Sequence, residues 1–325
     1  MLNRPTFHSD QEAIDAYLDS LLTQRKLSDH TIDNYRRDLL QLKEISEDIS
    51  LEKLTHHQIR RFVSKLHAKG MNPRSIARKL SAWRGFYQWL AEQTELPANP
   101  IEAVKAPRRI KTLPKALSVD DAVQLVTARP MSSKHAQEND FTPICNQAMF
   151  ELLYSSGLRV SELTGLDVRH IQKDGYTSLS WISLDEQEVT VTGKGHKKRV
   201  VPVGQAAIEA IKMWLPIRDK LMQPGEEDGQ RALFVNQRGR RMTPRIVQMR
   251  LKAHAQMLGL PLNVHPHVLR HSFASHVLQS SGDLRAVQEM LGHASISSTQ
   301  VYTALNFQHL AQIYDATHPR AKKKS

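Results

Sequence analysis

Apolar side chains recur at helical spacing along most of the chain. Between Asp10 and Leu22 the positions Ile14, Tyr17, Leu18, Leu21 and Leu22 share one helical face, and Ser28 to Leu42 repeats the pattern behind a capping residue. Thr55 to His67 and Pro73 to Leu90 follow. The second opens with proline in a first turn and carries Ile76, Leu80, Trp83, Phe86, Tyr87 and Leu90. Residues 1–106 therefore read as a bundle of four or five amphipathic helices. Ala106 to Lys115 then combines two prolines with four basic residues and has no period, so 107–117 reads as an extended basic linker.

Beyond the linker, Ser118-Val119-Asp120-Asp121 caps a helix, Asn146 to Tyr154 forms a buried one, and Gly157 ends it. The polar stretch Arg129 to Pro143 reads as a loop. The period changes at Ser180 to Leu184, Glu188 to Thr192 and Arg199 to Val203, where β-branched residues alternate or cluster as in a small three-stranded antiparallel sheet. Helices resume at Gln205 and are interrupted by the polar loop Gln223 to Gln230. The expected fold is mainly α: a helical N-terminal domain and, over 118–325, a mainly helical domain bearing the sheet.

Composition sharpens this picture in three ways. A length of 325 residues suits two domains, each able to bury its own core. No stretch has the run of apolar residues a membrane helix needs, and Met1 to Pro5 lacks the apolar core of a signal peptide, so the expected location is cytoplasmic. The single cysteine, Cys145, excludes internal disulfides and a cysteine-rich zinc site, and reads as a small buried residue in an apolar helix.

Charge points to the partner. The net charge of +12 indicates a polyanion, most commonly nucleic acid. Between Lys53 and Ala91 nine Lys or Arg residues occur without one Asp or Glu. A solvated face normally mixes signs, so this run reads as a surface for backbone phosphates. Lys53, Arg60, Arg61, Lys65, Arg74, Arg78, Lys79 and Arg84 are the candidates, continued by Arg108 and Arg109 of the linker.

The candidate chemistry lies mostly in the last quarter. His267 and Arg270 are three apart on a helix that Pro266 can begin, so they share a face and can reach one phosphate. Gly292 is placed to end the next helix and leaves His293 just beyond it; Tyr302 falls in the early turns of a helix capped by Ser297 or Ser298. Each has a plainer reading, a surface pair for His267 and Arg270 and a core aromatic for Tyr302. Their company favours phosphate chemistry. Upstream, Gly157-Leu158-Arg159-Val160-Ser161-Glu162 puts a guanidinium at a helix break, with a carboxylate three residues on that either orients it or forms a simple helix-surface pair. The turn Gly193-Lys194-Gly195-His196-Lys197-Lys198-Arg199 gathers cations, as solvated turns do, and a lysine there could protonate a leaving oxygen.

These residues resemble the tyrosine recombinases of the phage-integrase family, XerC type. The resemblance covers nearly the whole chain and is densest from Val264 to Tyr302, through H-P-H-V-L-R-H-S-F-A and S-G-D-L-R-A-V-Q-E-M-L-G-H, with further agreement at Phe307-Gln308-His309-Leu310 and His318-Pro319-Arg320-Ala321. It implies a SAM-like core-binding bundle and a catalytic domain closing around double-stranded DNA like a clamp. It also implies an active site of Arg159, Lys194, His267, Arg270, His293 and the nucleophile Tyr302. Lys197 and Lys198 stand on the same turn as Lys194, but the flanking glycines favour Lys194. The stretches Arg129 to Pro143 and Gln172 to Gln187 depart from the family's compactness and read as surface-loop insertions.

What the resemblance implies about activity is a site-specific DNA recombinase that cuts and rejoins strands through a 3′-phosphotyrosyl link. No ATP, metal or other cofactor is needed, because one phosphodiester is exchanged for another. It implies a heterotetramer of two copies with two of a XerD-like recombinase, resolving chromosome and plasmid dimers for segregation at cell division. Control by a cell-division DNA translocase is left open. The segment from Asn306 onward is expected to bridge subunits through Phe307, Leu310 and Tyr314, its plainer alternative being a helix packed on its own domain. The rival functions are an integrase or integron-type recombinase, a relaxing topoisomerase, and a non-catalytic architectural DNA-binding protein of the same fold.

Overall fold

The computed structural model describes residues 7–24, 27, 29–94, 96, 98–108, 116–128, 141–173, 175–193, 197–260, 263–292 and 313–321. Two compact units divide at Thr112 and Leu113.

The first unit is built from α1 (Asp10–Thr23), α2 (Asp29–Ser46), α3 (His56–Ala68) and α4 (Pro73–Gln93). Local chemistry starts each element. Ser9 caps α1, Thr55 and Gln58 form a reciprocal capping box on α3, and Asn72 with Pro73 opens α4. The apolar stripe of α4 is buried from Ile76 to Leu90, with Phe86 edge-on to Tyr17 of α1 at 5.6 Å. A buried polar knot ties α2 to α4: Asp38 accepts from Lys79 Nζ at 2.7 Å and from Arg78, while Trp83 Nε1 donates to its backbone carbonyl at 2.8 Å. Lys79, expected on the DNA face, is thus withdrawn into the unit. It lies on the buried phase of the α4 period, one turn from Ile76 and from Trp83.

The second unit begins with α5 (Val119–Thr127), α6 (Thr142–Ser156) and the short α7 (Val160–Thr164). Helix α6 is buried on nearly all sides, Cys145 included, and begins earlier than expected because Pro143 occupies its first turn. Then come β1 (Gln172–Lys173) and β2 (Tyr176–Thr177), a two-stranded antiparallel hairpin, and β3 (Trp181–Ser183), β4 (Glu188–Thr192) and β5 (Lys198–Pro202), an antiparallel sheet in the order β3-β4-β5. The register sets Val189 against Val201 and Val191 against Arg199 on the buried side. Helices α8 (Gln205–Lys220), α9 (Glu227–Arg231), α10 (Pro244–Met257), α11 (Pro266–Ser281) and α12 (Leu284–Leu291) complete the unit. Among the described residues no helix is long and apolar enough to cross a membrane.

Three expectations change here. The stretch Gln172 to Gln187 is structured, because buried Asp167 accepts from Tyr176 Oη at 2.7 Å and Ser178 Oγ at 2.6 Å and so anchors the hairpin. The stretch Gln223 to Gln230 holds most of α9, fastened where Arg241 bridges Asp228 and Asp167. Tyr314, expected at a subunit contact, is fully buried in its own chain and stacks on His318 at 4.9 Å. The segment 313–321 is locked there by the Arg320–Glu151 ion pair and by Gln205 N–H donating to the Ala321 carbonyl at 3.1 Å. Phe307 and Leu310 lie outside the described residues.

Candidate active site

Helix α6 ends at Gly157, whose φ of +57° suits glycine. A Cβ there would stand 2.4 Å from the Phe273 ring on α11, so the glycine also lets the two helices meet. Two residues on, Arg159 begins α7, and Glu162 takes hold of it twice: Oε2 accepts from the Arg159 backbone N–H and Oε1 from its Nη1, both at 2.8 Å.

Glu162 is a buried common acceptor and not a helix-surface pair. Arg199 of β5 meets it end-on, Nη1 to Oε1 at 2.9 Å and Nη2 to Oε2 at 2.8 Å, and Arg270 Nη1 of α11 stands 3.9 Å from Oε2. Burial alone would raise the carboxyl's pKa, but Arg199 and then Arg159 outweigh it and hold it at about 2. Burial, followed by repulsion from Arg159, lowers the Arg270 guanidinium to about 10, still protonated at neutral pH. Three guanidiniums thus face one carboxylate. The side chain of Arg270 is 9% exposed and that of Arg159 37%, so the surplus positive charge opens to solvent on the Arg159 side. An anion with several oxygens, such as a phosphodiester, would complete this cluster.

The same arginines hold the end of α12. The last carbonyls of a helix have no partner within it. Here the Met290 carbonyl accepts from Arg199 Nε at 2.9 Å and the Leu291 carbonyl from Arg270, which also donates to Gly157. Gly292 then turns left-handed at φ +64°, and a Cβ on it would lie 3.0 Å from Arg199 Cδ.

Of the six residues expected in the site, the structure brings Arg159 and Arg270 together at Glu162. His267 stands in the first turn of α11, one turn before Arg270, with its side chain exposed. The neighbouring His265 stands at the N-cap position of that helix without a side-chain bond to it, its ring 6.1 Å from His267; partial burial and the His267 charge lower its pKa. Lys194, His293 and Tyr302 lie outside the described residues. Arg199 is the residue that sequence reasoning missed, having been counted among the cations of a solvated turn. Among the described residues no three His, Cys, Asp or Glu side chains gather as a metal cradle.

On the first unit Lys53, Arg60, Arg61, Lys65, Arg74 and Arg78 are exposed. Arg78 also pairs with Asp38, and Arg84 is half-buried and donates to the Val104 carbonyl at 3.2 Å. Arg108 is exposed, and Arg109 lies outside the described residues.

The chain is similar to known proteins along nearly its whole length. Residues 117–309 match the phage integrase family and 14–94 its N-terminal SAM-like domain. The tyrosine recombinase XerC 1 of Ralstonia nicotianae is 54% identical over 318 residues, covering 96% of this chain and 94% of that protein. XerC of Pseudomonas aeruginosa is 47% identical over 314 residues, covering 96% of each. Among solved structures the fold is shared with the XerH recombinase bound to difH in a post-cleavage complex (TM-score 0.61, 20% identity, 94% of this chain and 84% of that one). It is shared also with a lambda integrase dimer on a core site (TM-score 0.65, 17% identity, 97% and 79%). With family matches over both units and relatives of this identity along nearly its whole length, the chain belongs to the phage integrase family and is a site-specific tyrosine recombinase of the XerC type.

Proposed function

We propose that this recombinase breaks and rejoins DNA through a 3′-phosphotyrosyl intermediate on Tyr302, and that it works as two copies with two of a XerD-like partner to resolve chromosome and plasmid dimers before cell division. The observation that carries the chemistry is the surplus of guanidinium charge gathered at Glu162 by Arg159 and Arg270.

In this mechanism the Tyr302 oxygen attacks phosphorus, the bond from phosphorus to the 5′-oxygen breaks, and the 3′-phosphate stays on the tyrosine. Arg159 and Arg270, with His293, neutralise the non-bridging oxygens as charge builds in the pentavalent transition state. His267 assists proton transfer from the phenol, and Lys194 delivers a proton to the departing 5′-oxygen, which would otherwise leave as alkoxide. The 5′-hydroxyl of the partner duplex then reverses these steps on the phosphotyrosine. Bond energy is kept in the covalent link, so strand exchange proceeds without a nucleotide cofactor. The exposed cations of the first unit hold the duplex by its phosphates.

The test uses a nicked synthetic recombination site, which traps the covalent step because the short 5′ fragment diffuses away. A denaturant-resistant protein–DNA adduct is expected from the native chain and none from Tyr302→Phe. An adduct that persists in Tyr302→Phe overturns the nucleophile. For the partnership, junction resolution is expected only when a XerD-type recombinase is added; full recombination by this chain alone would refute the two-plus-two assembly.

A further inference from the structure

We infer that Arg199 is a positioning residue for strand cleavage: it sets Glu162, and through it Arg159, while fixing the end of α12. This inference rests on the tyrosine-recombinase reading above and adds to it a residue that touches none of the reacting atoms.

Arg199 lies where three separate stretches of chain converge. It belongs to β5, the strand paired with β4. Two of its nitrogens grip Glu162 behind Arg159, and the third donates to Met290 in the last turn of α12. Its planar fork is matched to these partners, and it is only 5% exposed, so no phosphate reaches it. Its charge nonetheless matters to those that do. Glu162 would otherwise turn its whole charge on Arg159 and Arg270; by meeting the carboxylate face to face, Arg199 absorbs that charge and leaves the other two guanidiniums in surplus for an anion. Gly292 supports the same arrangement, since a Cβ on it would lie 3.2 Å from both Nε and Nη1 of Arg199.

The experiment compares Arg199→Met, Arg199→Lys, Glu162→Gln and the double variant Glu162→Gln with Arg199→Met, all as full-length protein on the nicked site. Single-turnover adduct formation is expected to fall at least 100-fold in Arg199→Met while duplex affinity stays within about threefold, because the residue acts on cleavage and not on binding. Arg199→Lys, which keeps the charge but not the fork, is expected to recover only a small part. The double variant is expected to lose clearly less than the product of the two single penalties, since the part of Arg199's work that passes through Glu162 is already gone and only the tie to α12 is left to lose. Penalties that multiply, or a folded Arg199→Met that cleaves at the native rate, would overturn the inference.

Hydrogen exchange of the 284–292 amides reads the tie to α12 without any chemistry, and faster exchange is expected in Arg199→Lys, the variant best able to fold. Unchanged exchange there would remove the α12 half of the inference. A native chain that gives no adduct, by contrast, refutes the proposed function and leaves the exchange measurement standing as the test of Arg199.

Discussion

The carbonyl of Leu291, the last residue of α12, accepts a hydrogen bond from the guanidinium of Arg270 on α11. A second nitrogen of the same group reaches Gly157, so one planar side chain spans two helix ends. An ammonium cannot do this, because it is a compact charge without the fork. Arg270→Lys is therefore expected to lower adduct formation on the order of 100-fold, about 2.7 kcal/mol in the transition state, with duplex affinity changed far less. Single-turnover cleavage beside a filter-binding titration measures the split. Equal losses in both would mean that Arg270 serves binding rather than the cleavage step.

Gly157 meets two constraints at once: a left-handed φ and the Phe273 ring 2.4 Å from where a Cβ would stand. Gly157→Ala should lose roughly 2–4 kcal/mol of stability in the second unit, combining backbone strain with overpacking. Denaturant titration followed by tryptophan fluorescence reports it, since Trp181 and Trp214 lie in that unit. Combining the change with Phe273→Leu should restore part of the loss by clearing the ring; no recovery would assign the cost to φ alone.

The exposed and the buried cations of the first unit should separate by salt dependence. Arg60 and Arg61 are exposed, and replacing both with alanine should weaken duplex binding and reduce the slope of log affinity against log salt by about one for each phosphate no longer neutralised. Lys79→Met should leave that slope alone and instead destabilise the unit by about 1–3 kcal/mol, because buried Asp38 loses a hydrogen-bonding partner. A reduced slope in Lys79→Met would show that Lys79 reaches DNA after all.

Lys79 and Arg199 also mark where sequence reading reached its limit. The helices were readable because their apolar positions follow a strong period: every α4 residue singled out for it, from Ile76 to Leu90, is buried. The three-stranded sheet was readable from alternation. Yet Lys79 lies on the buried phase of α4, and Arg199 alternates with Val201 onto the buried side of β5. A cation at a position where the period calls for an apolar residue must have a buried partner. Those partners, Asp38 and Glu162, are 41 and 37 residues away, and no local pattern reveals them. The β1–β2 hairpin escaped for another reason: two-residue strands show no alternation, and what fixes them is a side-chain bond to the buried Asp167, 9 residues before Tyr176.

The buried C-terminal segment should respond to acid through His318. That side chain is enclosed by Tyr154, Phe273 and Tyr314, and its Nδ1 accepts from the Arg320 backbone N–H. Burial, helped by the positive charges His276 and Arg320 nearby, lowers its pKa from 6.5 to about 3. The folded state therefore favours the neutral ring. A group depressed in this way contributes stability that is fully present above its unfolded pKa and is lost as pH falls from there toward the folded value. Relative to pH well above 6.5, that loss reaches about 2 kcal/mol at pH 5, the slope approaching 1.36 kcal/mol for each pH unit below 6.5. His254 and His276 are lowered by burial as well and add to the slope in the same direction. The prediction is a denaturation midpoint that drops as pH goes from 7.5 to 5, with a smaller drop in His318→Gln, which keeps an acceptor but cannot gain the proton. If the native chain and His318→Gln lose stability in parallel over that range, His318 is not the group that titrates.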